Sequence, residues 1–179
     1  MLQRDDVVLV LVDVQGKLAE LMVDREQLYD SLQKMVRGAQ VLGLPIIWLE
    51  QNPAGLGPTI PELSTLLTDL EPIPKFSFSC CQVPEFRHAL ERTKRNQILL
   101  TGIETHICIY QTTRDLLLQG YQVYVVADCV SSRTPLNREV GLRVASTLGA
   151  RLTTVEMALF EMLGEARGPE FKAILNIIK

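Results

Sequence analysis

Val7-Val8-Leu9-Val10-Leu11-Val12-Asp13 is the run whose reading decides the fold: apolar throughout, mostly β-branched, and ended abruptly by a carboxylate. A strand with one wet face alternates apolar and polar residues, and this one does not. It reads as a central parallel strand covered on both faces. Outward from it the chain alternates between strand and helix periods. Residues 25–42 carry Leu28, Leu32, Met35, Val36, Ala39 and Leu42 at helical spacing, with Asp24 as candidate cap and Gly43 as stop. Residues 45–50 read as the second strand, 52–61 as a Pro- and Gly-rich loop, and 62–67 as a short helix leading to a strand or turn before Lys75.

The rhythm continues with a helix over 84–94, a strand over 96–103, a helix over 105–119, a strand over 122–130, a helix over 136–148 and a strand over 151–155. One or two further helices fit residues 157–179. The expected fold class is therefore α/β: a three-layer, Rossmann-like fold whose mostly parallel six-stranded sheet has helices on both faces. No repeat, low-complexity tract or linker interrupts it, so residues 1–179 read as one domain.

A length of 179 residues is enough to bury a substantial core, and 47% apolar with 22% charged residues is ordinary for a globular protein. A net charge of −3, with Lys and Arg scattered, leaves no basic stripe for a nucleic-acid backbone. No run approaches the ~18 apolar residues that cross a bilayer, and the apolar start meets Asp13 too early for a secretory leader. The expectation is a cytoplasmic protein acting on a small molecule, with neither nucleic acid nor membrane as partner.

The four cysteines are Cys80, Cys81, Cys108 and Cys129. Without secretion signals a disulfide framework is not expected. Adjacent Cys80-Cys81 has no metal-ligand spacing, and His88 and His106 are the only histidines, which argues against structural zinc. Three of the cysteines read as small core hydrophobes. Cys108 reads differently. It lies in Thr101-Gly102-Ile103-Glu104-Thr105-His106-Ile107-Cys108-Ile109, where a strand gives way to a helix. A thiol in a first helical turn faces unpaired N–H groups and the positive end of the dipole, and both favour the thiolate.

In parallel sheets ligands bind at the carboxyl ends of strands, where strand order reverses. If the first strand and the one before Cys108 are neighbours, Asp13 and Cys108 share that crevice. Lys75 stands in Pro72-Ile73-Pro74-Lys75-Phe76. Singly, each residue has an ordinary reading: a turn carboxylate, a solvated loop ammonium, a structural thiol. Together they suggest a cysteine hydrolase. Cys108 is then the nucleophile, Asp13 the proton carrier and Lys75 the charge that keeps Asp13 ionised, with backbone N–H groups near Cys108 as oxyanion hole.

Four segments resemble the isochorismatase-like cysteine hydrolases, a superfamily that includes nicotinamidases, N-carbamoyl-amide hydrolases and isochorismatases. They are Val10-Leu11-Val12-Asp13-Val14-Gln15, Lys75-Phe76-Ser77-Phe78, Thr101 to Cys108, and Ala127-Asp128-Cys129-Val130-Ser131-Ser132. Glu50-Gln51 followed by Gly55-Leu56-Gly57-Pro58-Thr59 is similar to isochorismatase-domain-containing proteins of undefined substrate. The resemblance implies a Rossmann-like sheet, the triad Asp13, Lys75 and Cys108, and a cis peptide at Ile103–Glu104. It points to Gln15, Ile103, Glu104 and Thr105 as substrate-binding or oxyanion residues, and to a homo-oligomer.

Departures from the family pattern shape the rest. Nicotinamidases carry a metal-binding Asp-x-His after the second strand; Trp48-Leu49-Glu50-Gln51-Asn52 stands here, so neither a metal nor a cofactor is expected. Cys108 argues against vinyl-ether cleavage, since isochorismatases commonly lack that cysteine. The leading expectation is a metal-independent hydrolase of an amide-type C–N bond, working through a thioester. The alternatives are an isochorismatase-type vinyl-ether hydrolase and a non-catalytic small-molecule-binding or redox-sensing protein. Among neighbours, Gln15 stands between orienting substrate and bonding its own loop. His106 is assigned to a wall or cap, and Trp48 and Phe76 to core ahead of pocket wall. Asp128 is read as structural, and Thr112 and Arg114 as packing or subunit contacts.

Overall fold

Every residue of β1 (Val7–Val12) is buried, because successive side chains of a strand point to opposite faces and both faces are covered. Val7, Leu9 and Leu11 enter one apolar core; Val8, Val10 and Val12 enter the other. The computed structural model describes the whole chain, Met1–Lys179. After β1 come α1 (Gly16–Glu20), α2 (Arg25–Val41), β2 (Ile46–Gln51), α3 (Pro53–Leu56), α4 (Pro61–Ser64), β3 (Ile73–Lys75) and α5 (Pro84–Thr93). The second half holds β4 (Gln97–Ile103), α6 (Tyr110–Leu118), β5 (Gln122–Ser131), α7 (Pro135–Thr147), β6 (Arg151–Thr153), α8 (Val155–Leu163) and α9 (Gly168–Ile178).

The six strands form one sheet in the order β3-β2-β1-β4-β5-β6. All five pairings are parallel, where the sequence suggested mostly parallel. On one face α2 lays down Leu28, Leu32, Met35, Val36 and Ala39 beside Leu159 of α8 and Ile174 of α9. On the other, α5 contributes Phe86 and Leu90, α6 Leu116 and α7 Ala145. Each such Leu or Phe contributes about 1.5–3 kcal/mol by leaving water. The three-layer architecture is thus fixed by which residues of each helix face the sheet.

Several local expectations change. Asp24 precedes α2 in a left-handed conformation (φ 51°), and its side chain makes no capping hydrogen bond. The loop at 52–61 contains the helical turn α3, and the tail holds two helices that begin at Val155. Residues 105–119 are not one α-helix. Thr105–Ile109 forms a single π-helical turn, and α6 begins only at Tyr110. Such turns widen the helix and recur at functional sites.

Strand order reverses at β1, which lies between β2 and β4. Val12 is in register with Leu49 on one side and Gly102 on the other. The β4–β5 register shifts between Leu100 and Gly102. Gly102 adopts φ +116°, and a Cβ there would sit 2.0 Å from the Val12 carbonyl oxygen. Only glycine permits that approach. It brings the end of β4 against the end of β1, immediately before the segment that carries Cys108.

Candidate active site

Asp13 follows β1 in a left-handed conformation (φ 58°), a backbone state that a short polar side chain tolerates better than a β-branched one. Lys75 is the last residue of β3 and is in register with Gln51 of β2. Two strand spacings, roughly 9–10 Å, separate β3 from β1, so only a long side chain can reach. The Lys75 chain crosses the end of β2 and places Nζ 2.7 Å from Asp13 Oδ2. Nζ also donates to Gln51 Oε1 at 2.6 Å and to the carbonyls of Ser77 and Phe78 at 3.1 and 3.3 Å. Cys108 Sγ lies 3.7 Å from the same nitrogen.

Asp13 and Cys108 line one cavity of about 120 Å³ together with Leu18, Gln51, Leu56, Phe78, Ile103, Glu104 and Ile107. That is well below the ~300 Å³ at which drug-sized pockets begin. Cys108 comes from the π-helical turn, Ile103 from the end of β4, and the peptide joining Ile103 to Glu104 is cis. The Glu104 N–H has no acceptor within the protein. Its carboxylate Oε1 accepts the N–H and the Nε–H of Arg133, both at 3.1 Å.

The ionisable groups do not sit as the helix-dipole argument suggested. Burial pushes the Cys108 thiol up to about 12, and the Asp13 carboxylate adds to the rise against the pull of Lys75. Burial beside Asp13 works against the thiolate that a helix end would favour. Burial also raises Asp13 above the ordinary carboxylate range despite Lys75. For Lys75, burial works to lower the ammonium, but the charge of Asp13 and the hydrogen bond to it outweigh burial and hold it above its usual value. The cluster binds protons tightly: an ammonium, a carboxylate that is a stronger base than usual, and a thiol beside them.

Of the residues singled out in the sequence, Asp13, Cys108, Ile103 and Glu104 line the cavity, and Lys75 stands behind its polar end. Gln15 and Thr105 do not line it. Gln15 is fully buried, its Nε2 donating to the carbonyls of Gln51 and Gly57 while its Oε1 accepts the Gln51 N–H. Thr105 packs against Gly141, and its hydroxyl has no partner. His106 Nδ1 meets Ser132 Oγ at 3.0 Å, away from the thiol. Trp48 is core, its Nε1 donating to Thr59 Oγ1, whereas Phe76 is 78% exposed and not core. Asp128 accepts the Val155 N–H at the start of α8, and Thr112 accepts the Cys80 N–H.

Sequence reasoning missed Gln51 as a residue that both lines the cavity and holds Lys75, although its place just after a buried strand was a signal. It missed Arg133 as the partner of Glu104 altogether, since the two are joined only by the fold. Where nicotinamidases place metal ligands, Glu50 instead binds the Thr59 N–H and hydroxyl at 2.6 and 2.8 Å. No three His, Cys, Asp or Glu side chains gather as a metal-ligand cluster.

A doubly covered parallel sheet with thiol, ammonium and carboxylate gathered where strand order reverses is the architecture of α/β proteins that bind small molecules at their strand ends. The chain belongs to the isochorismatase family, whose members are generally hydrolases: residues 7–157 match the isochorismatase domain. It is 40% identical over 173 residues to isochorismatase domain-containing protein 2 of Homo sapiens, covering 96% of this chain and 82% of that protein. Among solved structures it is similar to the MAR1 ribonuclease of Caenorhabditis elegans, with TM-score 0.92 and 34% identity over 99% of this chain and 91% of that one. An octameric hydrolase of unknown specificity from Escherichia coli shares the fold, with TM-score 0.93 and 22% identity over 99% and 88% of the two chains. No helix is long and apolar enough to cross a membrane.

Proposed function

We propose that this protein is a metal-independent cysteine hydrolase that cleaves the C–N bond of a small amide through Asp13, Lys75 and Cys108. The observation that carries the reading is the position of Lys75 Nζ, 2.7 Å from Asp13 Oδ2 and 3.7 Å from Cys108 Sγ, at the polar end of one small cavity. A lysine ammonium has no lone pair for a metal, and it fills the place beside the carboxylate that a cation would take.

The first half-reaction forms the Cys108 Sγ–acyl carbon bond as the thiol proton passes to Asp13. With the thiol near 12, that transfer is uphill unless it accompanies attack, so the two events are concerted. The carbonyl electron pair moves to oxygen, where the Glu104 N–H and neighbouring backbone of the π-helical turn receive it; one such donor is typically worth ~3–4 kcal/mol. Collapse breaks the C–N bond, and the departing nitrogen takes the proton from Asp13. Water then attacks the thioester, giving a proton to Asp13, and the carboxylic acid leaves as the thiol re-forms. Lys75 holds Asp13 ionised at the start of each half.

The test is a panel of small amides, carbamoyl compounds and hydroxamates assayed with the wild type and with Cys108→Ala. Release of ammonia or amine by the wild type, lost at least ~10³-fold in Cys108→Ala, supports the reading. Full activity in Cys108→Ala with loss in Asp13→Ala points instead to vinyl-ether chemistry. A phosphodiester, the substrate type of the relative named a ribonuclease, would find no cationic residue among those lining this cavity. In keeping with the octameric Escherichia coli protein of this fold, a homo-oligomer is proposed.

A further inference from the structure

Leu56 is fastened in place by the fold and yet adds to neither apolar core. It is half-buried, and it packs into neither the cluster that holds α2 nor the one that holds α5. Its segment is nevertheless tied down at several points. The Leu56 N–H donates to the Asn52 carbonyl at 3.0 Å, and the Gly57 carbonyl accepts Gln15 Nε2 at 2.7 Å. The Gly16 N–H donates to the Pro58 carbonyl at 3.2 Å, and a Cβ on Gly16 (φ +41°) would collide with the Leu56 carbonyl oxygen. Glycine at that point lets α3 close on α1. What Leu56 lines is the cavity, together with Leu18 of α1, Phe78, Ile103 and Ile107. Phe78 is 53% exposed and likewise belongs to neither core. Two apolar residues that no core uses therefore wall the space in front of the buried Cys108.

We infer that the cavity takes the acyl part of a short aliphatic amide, and that Leu56 sets the size limit that refuses larger, ring-bearing groups. Resting on the hydrolase reading above, this names its substrate class as amides of small aliphatic acids and makes aromatic amides poor ligands. The volume is about 120 Å³. At ~30 Å³ for a group the size of a water, that is room for roughly four such groups, and an aromatic acyl group needs about twice as much. The apolar walls reward the methylenes that fit. A larger group meets a side chain backed by a pinned segment, which yields only if α3 moves off α1.

The experiment uses two neutral alkylating agents that share a reacting carbon, iodoacetamide and N-phenyl iodoacetamide. The first leaves a group the cavity can hold; the second adds a ring beyond it. With either, the Cys108 Sγ–carbon bond forms, the carbon–iodine bond breaks, iodide leaves with the bonding pair, and the thiol proton passes to solvent. Rates at Cys108 are read by peptide mass mapping, and their ratio is divided by the ratio for 2-mercaptoethanol. The expected normalised preference for iodoacetamide is at least about tenfold in the wild type, falling below about threefold in Leu56→Ala, which removes bulk from the wall. Leu56→Met, of similar volume, keeps the preference. A wild-type ratio near that of the reference thiol overturns the inference whether or not a variant folds. So does a ratio unchanged in Leu56→Ala, an equal loss in Leu56→Met, or failure of both reagents to reach Cys108. Alkylation needs no turnover, so an inactive amide panel beside a large ratio removes the proposed reaction alone. An active panel beside a ratio near that of the reference thiol removes the size limit alone.

Discussion

At the scale of the residue, the decisive feature is a set of three groups whose charges are set by one another. In its proposed role as base Asp13 works only when ionised, so activity is expected above its folded pKa and expected to be lost as pH falls through it. Burial places that point above the ordinary carboxylate value of 3.8, and the acid limb of kcat/KM is expected there. Lys75→Met removes the charge that lowers Asp13 and moves the limb to higher pH, while costing about 3–5 kcal/mol of stability by stranding a buried carboxylate. A pH–rate profile of both proteins checks the direction. Cys108 makes an alkaline prediction. Its thiol rises from 9.0 to about 12 on folding, so the stability it contributes is full below pH 9 and lost as pH rises toward 12. The stability of the wild type relative to Cys108→Ala should fall by at most about 1.4 kcal/mol per pH unit above pH 9. Denaturant unfolding at two alkaline pH values measures it. That these three side chains could meet was legible in the sequence. Their protonation was not, because a helix-end argument contains neither the burial of the thiol nor its nearness to Asp13.

At the scale of the element, the segment between Asn52 and Thr59 is tied to the strand ends at both of its own ends. Gln15 forms an isolated antiparallel bridge with Thr59 and ties down Gln51 and Gly57 with its amide. Glu50 and Trp48 hold Thr59 from the other side. This keeps Leu56 on the cavity and Gln51 on Lys75. Gln15→Ala leaves buried backbone groups of Gln51 unpaired and should cost about 1–3 kcal/mol, with earlier proteolytic cleavage between residues 52 and 59. A melt and limited proteolysis read both effects; an unchanged melt and cleavage pattern contradict the pinning role. Strands and major helices were legible because burial on both faces writes continuous apolar runs and helix faces write a 3.6 period. The π-helical turn at Thr105–Ile109 was not, since its residues have the composition of an ordinary helix start. Nor was the partner of Gln15, which lies in a loop that sequence alone marks only as rich in Pro and Gly.

At the scale of the whole molecule, the site exists because the sheet reverses its order at β1 and because β3 lies two strands away, which a lysine can span. The first relation was conditional in the sequence, on β1 and β4 being neighbours; the second was not read there at all, and both became definite only with strand order. Assembly is a separate property, and sedimentation should give a mass that is a multiple of the 20.1 kDa chain; a strict monomer contradicts the proposed homo-oligomer. The most direct test of the central claim is intact-protein mass spectrometry after rapid acid quench with an activated ester of a short-chain acid. The account predicts one acyl group per chain, mapped to Cys108, absent from Cys108→Ala and formed more slowly in Asp13→Asn. Acylation spread over other residues, or equal in Cys108→Ala, would contradict it.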